Sequence, residues 1–274
     1  MVETSLESEL TYQRERARQI DEIVRTPKQI VERYRQHRLW RLFPKEFIFK
    51  SLGELQGKSV LDFACGEGRM ATQMALLGAR VTGIDISPEL IELAKRRAEL
   101  DCVDRRVDFR AENILESSPA QEAFDFIVCT DALHHVDLSH VVPILCRCLK
   151  AGGKLIAKEP VSLSKSFQTL RDRLPIKKVA SPGDRQLTIE HLEGIQRIFS
   201  KCEVTHFNLL GRFSRFFKNA NRIDHGHPVT KAVLIGLLGL DWIIARMCPA
   251  LRRFYGEVVV VAHKAAEFEF RHPS

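Results

Sequence analysis

The chain has 274 residues, of which 45% are apolar and 28% charged, and its formal net charge is +7. This composition is typical of a soluble globular protein with a sizeable core, and it excludes a largely disordered or fibrous chain. The length suits one domain with additions, and the basic excess indicates an acidic partner only where the charges cluster.

The N-terminal region is predicted to be helical. Residues 12–43 carry apolar side chains at helical spacing, with an interruption at Pro27, and Thr26 is predicted to cap the second helix. We assign residues 1–50 to an N-terminal helical extension, which either packs on the main domain or forms a lid over a ligand. The chain does not begin with the pattern of an export signal, so we expect a cytoplasmic protein.

A strand, a glycine turn and a helix follow. Residues 59–64 form an apolar strand, the turn contains Gly66 and Gly68, and residues 69–77 show one apolar helical face. The next strand ends on Asp85, at a place where a carboxylate commonly binds the two hydroxyls of a ribose. The turn lacks the Gly-Lys-Ser/Thr of a triphosphate site and the third glycine of the dinucleotide pattern. The pattern therefore favours an adenosine-like ligand with little phosphate.

Strands and helices alternate from residue 51 to residue 159. The predicted strands are 59–64, 80–86, 107–111, 124–129 and 154–159, and the predicted helices are 69–77, 88–100 and 138–149. Such alternation predicts a parallel, doubly wound sheet with its ligand at the carboxyl ends of the strands. The polar and glycine residues that fall at this edge are Asp62, Gly66, Gly68, Asp85, Asn113, Thr130 and His134.

The C-terminal part contains an insert between two late strands. An irregular connection spans residues 160–187, a helix is predicted at 189–199, and strands are predicted at 202–208 and 257–264. Residues 211–254 carry eight Lys and Arg against two Asp, together with an apolar run that is too short and interrupted to span a bilayer. We expect the insert, about 211–256, to cap an apolar ligand or, less favoured, to contact a membrane surface or another protein.

Five segments resemble, in order, the motifs of the class I S-adenosylmethionine-dependent methyltransferases. They are Val60–Gly68 (VLDFACGEG), Asp85, Phe109–Ile114, Phe124–Val136 and Leu149–Glu159. One departure is Ala64, which stands where the family usually has its first glycine. The resemblance implies an α/β fold for residues 51–274: a doubly wound, seven-stranded, mostly parallel Rossmann-like sheet with an antiparallel edge strand.

The resemblance also implies S-adenosylmethionine as cofactor. It assigns Asp62 to the cofactor's ammonium end, the backbone at Gly66 and Gly68 to its carboxylate, Asp85 to the ribose hydroxyls and Asn113 to the adenine amine. The full predicted cofactor-binding set is Asp62, Ala64, Cys65, Gly66, Gly68, Asp85, Ile86, Asn113, Ile114 and Thr130.

Methyl transfer to an oxygen requires removal of a proton, and three residues are candidates for this step. His134 and His135 follow the fourth strand, and imidazole titrates near neutrality, so either is a candidate general base or only shapes the loop. Glu159, at the end of the fifth strand, is a candidate base or the partner of a nearby cation. We therefore expect O-methylation of an apolar or aromatic small molecule.

Other functions are less favoured. The alternatives are a catalytically inactive S-adenosylmethionine-binding regulator or partner subunit, and a methyltransferase for a membrane-associated lipid or quinone. Nucleic acid is not expected as a partner, because no Asn/Asp-Pro-Pro-Tyr/Phe motif follows the fourth strand. The seven cysteines are predicted to be free thiols, and neither Cys146-Arg-Cys148 nor Asp224-His-Gly-His227 supplies enough ligands to predict a metal. The oligomeric state is left open.

Overall fold

A seven-stranded sheet forms the centre of the protein. The computed structural model describes residues 2–20, 22–117, 120–164, 186–211 and 228–266, with side chains from residue 8 onward. Its strand order is β3-β2-β1-β4-β5-β7-β6. The strands are β1 (Ser59–Phe63), β2 (Arg80–Asp85), β3 (Val107–Ala111), β4 (Phe124–Thr130), β5 (Leu149–Pro160), β6 (Lys201–Phe207) and β7 (Glu257–His263).

The pairing of these strands confirms the predicted fold. Strands β1 to β5 are parallel to one another, whereas β7 runs antiparallel to both β5 and β6. The two late strands thus form the antiparallel pair at one edge of the sheet. β5 begins earlier than predicted, because Leu149 already pairs with Phe124 ahead of an irregularity in the ladder.

Helices cover both faces of the sheet within the described part of the chain. They are α1 (Val2–Arg18), α2 (Lys28–Gln36), α3 (Pro44–Leu52), α4 (Arg69–Leu76), α5 (Pro88–Leu100), α6 (Leu138–Cys148), α7 (Ile189–Ile198) and α8 (Pro228–Met247). The start of α5 is the predicted one: Leu90 N–H donates to the Ser87 hydroxyl at 3.2 Å, and Pro88 occupies the first turn.

The core has two layers because successive strand residues face opposite sides of the sheet. On one side, Leu61 and Phe63 of β1 pack with residues of α6 and α7. On the other side, Val60 packs with residues of α3, α4 and α5. Since both faces are covered, a ligand has access only at an edge, and the crevice at the carboxyl ends of the parallel strands is the expected place.

The N-terminal region differs from its prediction at several points. Thr26 does not cap α2; its backbone N–H and hydroxyl donate to the Asp101 carboxylate at 2.8 and 2.6 Å. The predicted boundary at residue 50 falls inside α3, whose Ile48 and Phe49 are buried in the main core. The sequence placed the break there because α3 was not recognised as a separate helix.

The insert places α8 against the end of β6 and the segment before α3. Leu234 and Leu238 face inward and pack against Leu42 and Phe43. The opposite side of the helix is exposed, and it carries Val229, Val233, Leu240, Ile243 and Met247. The cap expected from the sequence does not account for these exposed apolar residues. Most of the connection 160–187, and the segment that contains Asp224 to His227, lie outside the described residues.

Candidate active site

The turn after β1 brings the backbone to the edge of the sheet. Cys65 N–H donates to the Ile84 carbonyl at 2.9 Å, which ties the turn to β2. Gly66 and Gly68 both have positive φ, +53° and +73°. A Cβ on Gly68 would approach Phe109 and Ala94 to 2.6 and 2.7 Å, whereas a Cβ on Gly66 would meet no atom within 4 Å. Gly68 thus allows the turn to pack on the domain, and Gly66 leaves its backbone open to a ligand.

Asp85 joins this turn to the start of α5. Gly66 N–H donates to its Oδ2 at 2.8 Å and Ser87 N–H donates to its Oδ1 at 3.0 Å. Burial raises the pKa of the Asp85 carboxyl, and these two amides act in the opposite direction. Each carboxylate oxygen has more than one acceptor site, so both can accept a further hydrogen bond from a ligand hydroxyl.

Asp62 lies one strand away and is fully buried. Neither of its carboxylate oxygens has a hydrogen bond of standard geometry within the described part of the chain. Burial raises the pKa of Asp62 to about 7, against the opposing effects of the Ala71 amide and the Lys45 ammonium. A buried carboxylate without such a bond is costly, so the position is suited to a cationic ligand group.

Lys45 is a site residue that the sequence analysis missed. It lies in the first turn of α3, and burial lowers the pKa of its ammonium to about 8, although the charge of Asp62 favours the protonated form. The charges of Arg69, Lys158 and Arg97 lower the pKa further. The signal in the sequence was Pro44, which marks a helix start shortly before the first strand.

His134 and Glu159 come together at the ends of β4 and β5. The Glu159 carboxylate is fully buried; its Oε1 accepts from Ala132 N–H at 3.0 Å and Leu133 N–H at 2.9 Å. Its Oε2 lies 2.7 Å from His134 Nδ1. An ionised carboxylate accepts only, so Nδ1 carries the proton and Nε2 is the basic nitrogen of the neutral ring. Glu159 therefore orients His134.

His135 has a different environment from His134. The two rings lie 4.0 Å apart between centroids, but His135 Nδ1 is 3.8 Å from the Glu9 carboxylate of α1. The charges of Glu9 and Arg16 also act on Asp85. The N-terminal helix therefore faces both the β2 end and the β4 end of the crevice.

The end of β3 holds Asn113 in a local turn. Its side-chain oxygen accepts from Leu115 N–H at 3.1 Å, and its amide donates to Glu116 at 2.7 Å. The side chain of Ile114 is buried in the core, so only its backbone can contact a ligand. Asn113 lies at the expected edge, but its amide is already engaged by its own turn.

The remaining predicted residues border the crevice. Ile86 and Thr130 are half-buried at the ends of β2 and β4. Burial raises the pKa of the Cys65 thiol well above its usual value, with a further contribution from Asp62, so this thiol is not a nucleophile at neutral pH. All seven cysteines are free thiols, as predicted.

The chain matches the sequence model of a known protein family. A model of the methyltransferase domain matches residues 54–208, which is more than half of the chain. The chain belongs to this methyltransferase family. The family predicted from the five sequence motifs is thereby confirmed.

Sequence relatives of this methyltransferase carry a common name. The ubiquinone biosynthesis O-methyltransferase of Xanthomonas oryzae is 38% identical over 104 residues, which cover 37% of this chain and 43% of the relative. The mitochondrial ubiquinone biosynthesis O-methyltransferase of Schizosaccharomyces pombe is 38% identical over 129 residues, which cover 46% and 44%. The chain thus spans less than half the length of the relatives it matches.

Solved structures support the methyltransferase fold at low sequence identity. Phosphoethanolamine N-methyltransferase 2 of Haemonchus contortus aligns with a TM-score of 0.55 at 19% identity, over 82% of this chain and 52% of that chain. Geranyl diphosphate C-methyltransferase of Streptomyces coelicolor aligns with a TM-score of 0.54 at 16% identity, over 80% and 78%. Their named reactions differ, so the likeness concerns the fold alone.

Ala64 provides a stability test of the methyltransferase turn. Its φ of +55° lies in the left-handed region, which costs an alanine about 1–2 kcal/mol and a glycine much less. We expect Ala64→Gly to raise the free energy of unfolding by about 1 kcal/mol, because relief of strain exceeds the added entropy of the unfolded chain. Urea denaturation measures the change. Ala79→Gly, at a buried alanine that is not among the positive-φ residues, is the control and should destabilise the fold.

Proposed function

We propose that this methyltransferase binds S-adenosylmethionine and transfers the methyl group to a hydroxyl oxygen of an apolar or aromatic small molecule. One observation carries the proposal. Two buried carboxylates, Asp62 and Asp85, lie near the carboxyl ends of adjacent strands. At the same edge a Glu159-oriented imidazole, His134, follows the next strand. Ligand-binding groups and a base thus occur at one edge of one sheet.

The residues present fit the chemical groups of this cofactor. Asp62 offers two buried oxygens that suit an ammonium group. Asp85 has acceptor capacity left on both oxygens for a ribose diol, and Gly66 leaves space beside it. Lys45, which lies close to Asp62, supplies a cation for the carboxylate of the cofactor's methionine part. Asn113 and Ile114 border the β3 end, where we place the adenine.

His134 is proposed to accept the proton of the methyl acceptor. The cofactor, when bound, supplies an electrophilic methyl group on a sulfonium centre. Glu159 holds the His134 ring through Nδ1, so that Nε2 is the nitrogen that takes a proton from a hydroxyl. The resulting imidazolium is stabilised by the adjacent carboxylate. The domain otherwise accelerates the reaction by holding the two reactants close and aligned.

Oxygen is proposed as the methylated atom on two grounds. An amine attacks in its neutral form, whereas a phenol or alcohol gains most from a base that removes its proton, and His134 is placed as such a base. The sequence relatives are also named as O-methyltransferases. We therefore propose a phenolic or catechol-like ring as the class of methyl acceptor.

The cofactor assignment predicts that loss of the Asp85 carboxylate strongly weakens binding of S-adenosylmethionine. Asp85→Ala removes a buried acceptor of ribose hydroxyls, and such losses cost about 1–3 kcal/mol, more for a charged group. We expect binding of S-adenosylmethionine to weaken at least about tenfold, measured by titration calorimetry. Asp108→Ala, which removes an exposed carboxylate that pairs with Arg110 on β3, is the matched control and should bind as the wild type does. Equal affinity for Asp85→Ala and wild type would refute the ribose assignment.

A panel of acceptors tests the reaction itself. Formation of S-adenosylhomocysteine is followed with catechols, aliphatic alcohols, amines and carboxylates at equal concentration. We expect turnover with catechols and no turnover with amines. Turnover with amines alone would refute O-methylation, and cofactor binding without turnover on any acceptor would favour the inactive alternative.

A further inference from the structure

Helix α8 exposes an apolar stripe along its outer side. Val229 and Met247 are 64% and 74% exposed, and Val233, Leu240 and Ile243 lie between them with 43%, 49% and 49% exposed. Together with Gly236, these residues recur at alternating spacings of four and three, which aligns them on one side of a helix. A continuous exposed apolar stripe of this length is unusual for a soluble surface and indicates an interaction site.

The opposite side of α8 is fixed to the domain. The buried Asp241 carboxylate accepts from Leu210 N–H at 2.7 Å and Gly211 N–H at 2.9 Å. The Tyr255 hydroxyl donates to the backbone carbonyl of Asp241. Leu238 also packs inward, against Leu42 and Phe43. These contacts hold the helix along the surface with the stripe pointing away from its own domain.

The length of α8 alone would allow it to cross a bilayer. It has 20 residues with a mean hydropathy of 1.6, and among the described residues it is the one helix that meets such a criterion. Its attachment argues against crossing, because β6 and β7, which flank the insert, pair with each other along their whole length. Asp241 would also lose its two backbone donors. The helix is therefore suited to lie in the plane of an interface.

The charges beside the stripe have one sign. From Pro228 to Phe254 the single acidic residue, Asp241, is buried on the inner side. The basic residues Arg246, Arg252 and Arg253 lie at or just beyond the C-terminal end of the stripe, whereas Lys231 shares the helix side of Leu238, seven residues further on. Cations beside an exposed apolar stripe complement a surface of anionic headgroups. They do not complement a second copy of the same stripe, which would bring the same cations together without acidic partners.

Tryptophan and arginine side chains cluster where α8 meets the segment before α3. Arg41 lies over Trp40 at 4.7 Å and over Trp242 at 5.1 Å from the ring centroids. Arg246 lies 5.7 Å from the Trp242 centroid. Trp combined with cations favours the headgroup region, because the ring is amphipathic and the charge stays hydrated.

We propose that α8 docks this protein on an anionic lipid bilayer. The apolar stripe enters the boundary between headgroups and acyl chains, and Arg246, Arg252 and Arg253 contact lipid phosphates. The proposal is independent of the proposed methyl transfer, since lipid binding needs neither cofactor nor methyl acceptor. It also differs from the cap expected from the sequence, because the stripe faces away from the domain.

Vesicle co-sedimentation tests the docking. The full chain is mixed with vesicles of phosphatidylcholine alone or of phosphatidylcholine with phosphatidylglycerol, at low and high salt. We expect sedimentation with the anionic vesicles and little with the neutral ones. High salt should weaken it, because the Debye length falls from about 10 Å at 0.1 M to about 3 Å at 1 M.

Two double variants with the same net charge distinguish vesicle binding through the stripe from binding through net charge alone. Leu240→Glu with Ile243→Glu places two carboxylates in the stripe, and Val24→Glu with Ile189→Glu places two at apolar residues elsewhere that are similarly exposed, 56% and 49%. The stripe variant should lose at least about tenfold in vesicle partitioning, since it loses apolar insertion and gains repulsion. The control variant should bind as the wild type does. Thermal unfolding and cofactor affinity should be unchanged in both.

Three outcomes would overturn the proposal. The first is a wild-type protein that stays in the supernatant with anionic vesicles at low salt. The second is an equal loss of binding in the two double variants, which would assign binding to net charge. The third is a wild-type dimer in analytical ultracentrifugation that the stripe variant alone dissociates, which would make the stripe a contact between copies.

Discussion

Replacement of His134 by Gln is expected to lower kcat for a hydroxyl acceptor by about 10²- to 10⁴-fold, the usual contribution of a general base. The affinity for S-adenosylmethionine should change little, because Asp62 and Asp85 lie on other strands. Initial rates and calorimetry measure the two quantities. The matched control is His135→Gln, which changes the neighbouring imidazole that faces Glu9 instead of Glu159. It should retain most of the activity.

Glu159→Gln tests how the base is held. The amide oxygen can still accept from Ala132 and Leu133 N–H, so the loop keeps its two backbone contacts. The amide nitrogen then faces His134 Nδ1 and donates to it, which moves the ring proton to Nε2 and removes the basic nitrogen from its proposed position. We expect a loss of kcat comparable to that of His134→Gln, with KM for the cofactor unchanged.

The tautomer itself is measurable. Nitrogen NMR of labelled imidazole should show the Nδ1–H form of His134 in the wild type and the Nε2–H form in Glu159→Gln. A purely structural role for Glu159 would lower stability without changing the tautomer. Full activity in His134→Gln, or a larger loss in His135→Gln, would refute the assignment of the base.

The sequence predicts the sheet well because its strands are buried on both faces. Such strands are continuous apolar runs separated by helices, and that pattern admits few topologies. The edge residues follow from the same argument, since Asp62, Asp85 and His134 each stand where a strand ends or shortly after it. The family motifs then add cofactor roles that periodicity alone could not supply.

The sequence fails where contacts join distant parts of the chain. Lys45 approaches Asp62 only because α3 packs on the sheet, and nothing near residue 45 indicates a buried carboxylate partner. Glu159 and His134 are 25 residues apart in the chain and meet only in the folded structure. The sequence alone therefore could not tell whether Glu159 is a base, an ion-pair partner or the residue that orients the base. The orientation of α8 was decided by Asp241, a polar residue that the sequence marked only as an interruption of the apolar run.

Asp62→Asn is expected to abolish measurable cofactor binding and, at the same time, to stabilise the fold above pH 7. The carboxylate is the proposed partner of the cofactor's ammonium, and a neutral amide replaces a charge-assisted bond in a desolvated site. Calorimetry at pH 8 measures the loss of affinity. Asp108→Asn, at an exposed carboxylate, should leave affinity and stability near their wild-type values.

The stability gain follows from the pKa of Asp62, which burial raises from 3.8 to about 7 in the folded protein. Below about pH 4 the carboxyl is neutral in both states, so the substitution should change little. As pH rises from 4 to 7 the unfolded state loses this proton first, and the wild type is progressively destabilised; above pH 7 the full penalty remains. The change in pKa sets an upper limit of about 4 kcal/mol for the gain from Asn at pH 8. Urea unfolding of both proteins at pH 4 and pH 8 measures it. A variant less stable than wild type at pH 8 would mean that Lys45 already neutralises the carboxylate, and the orphaned group that supports cofactor binding would then be an internal ion pair.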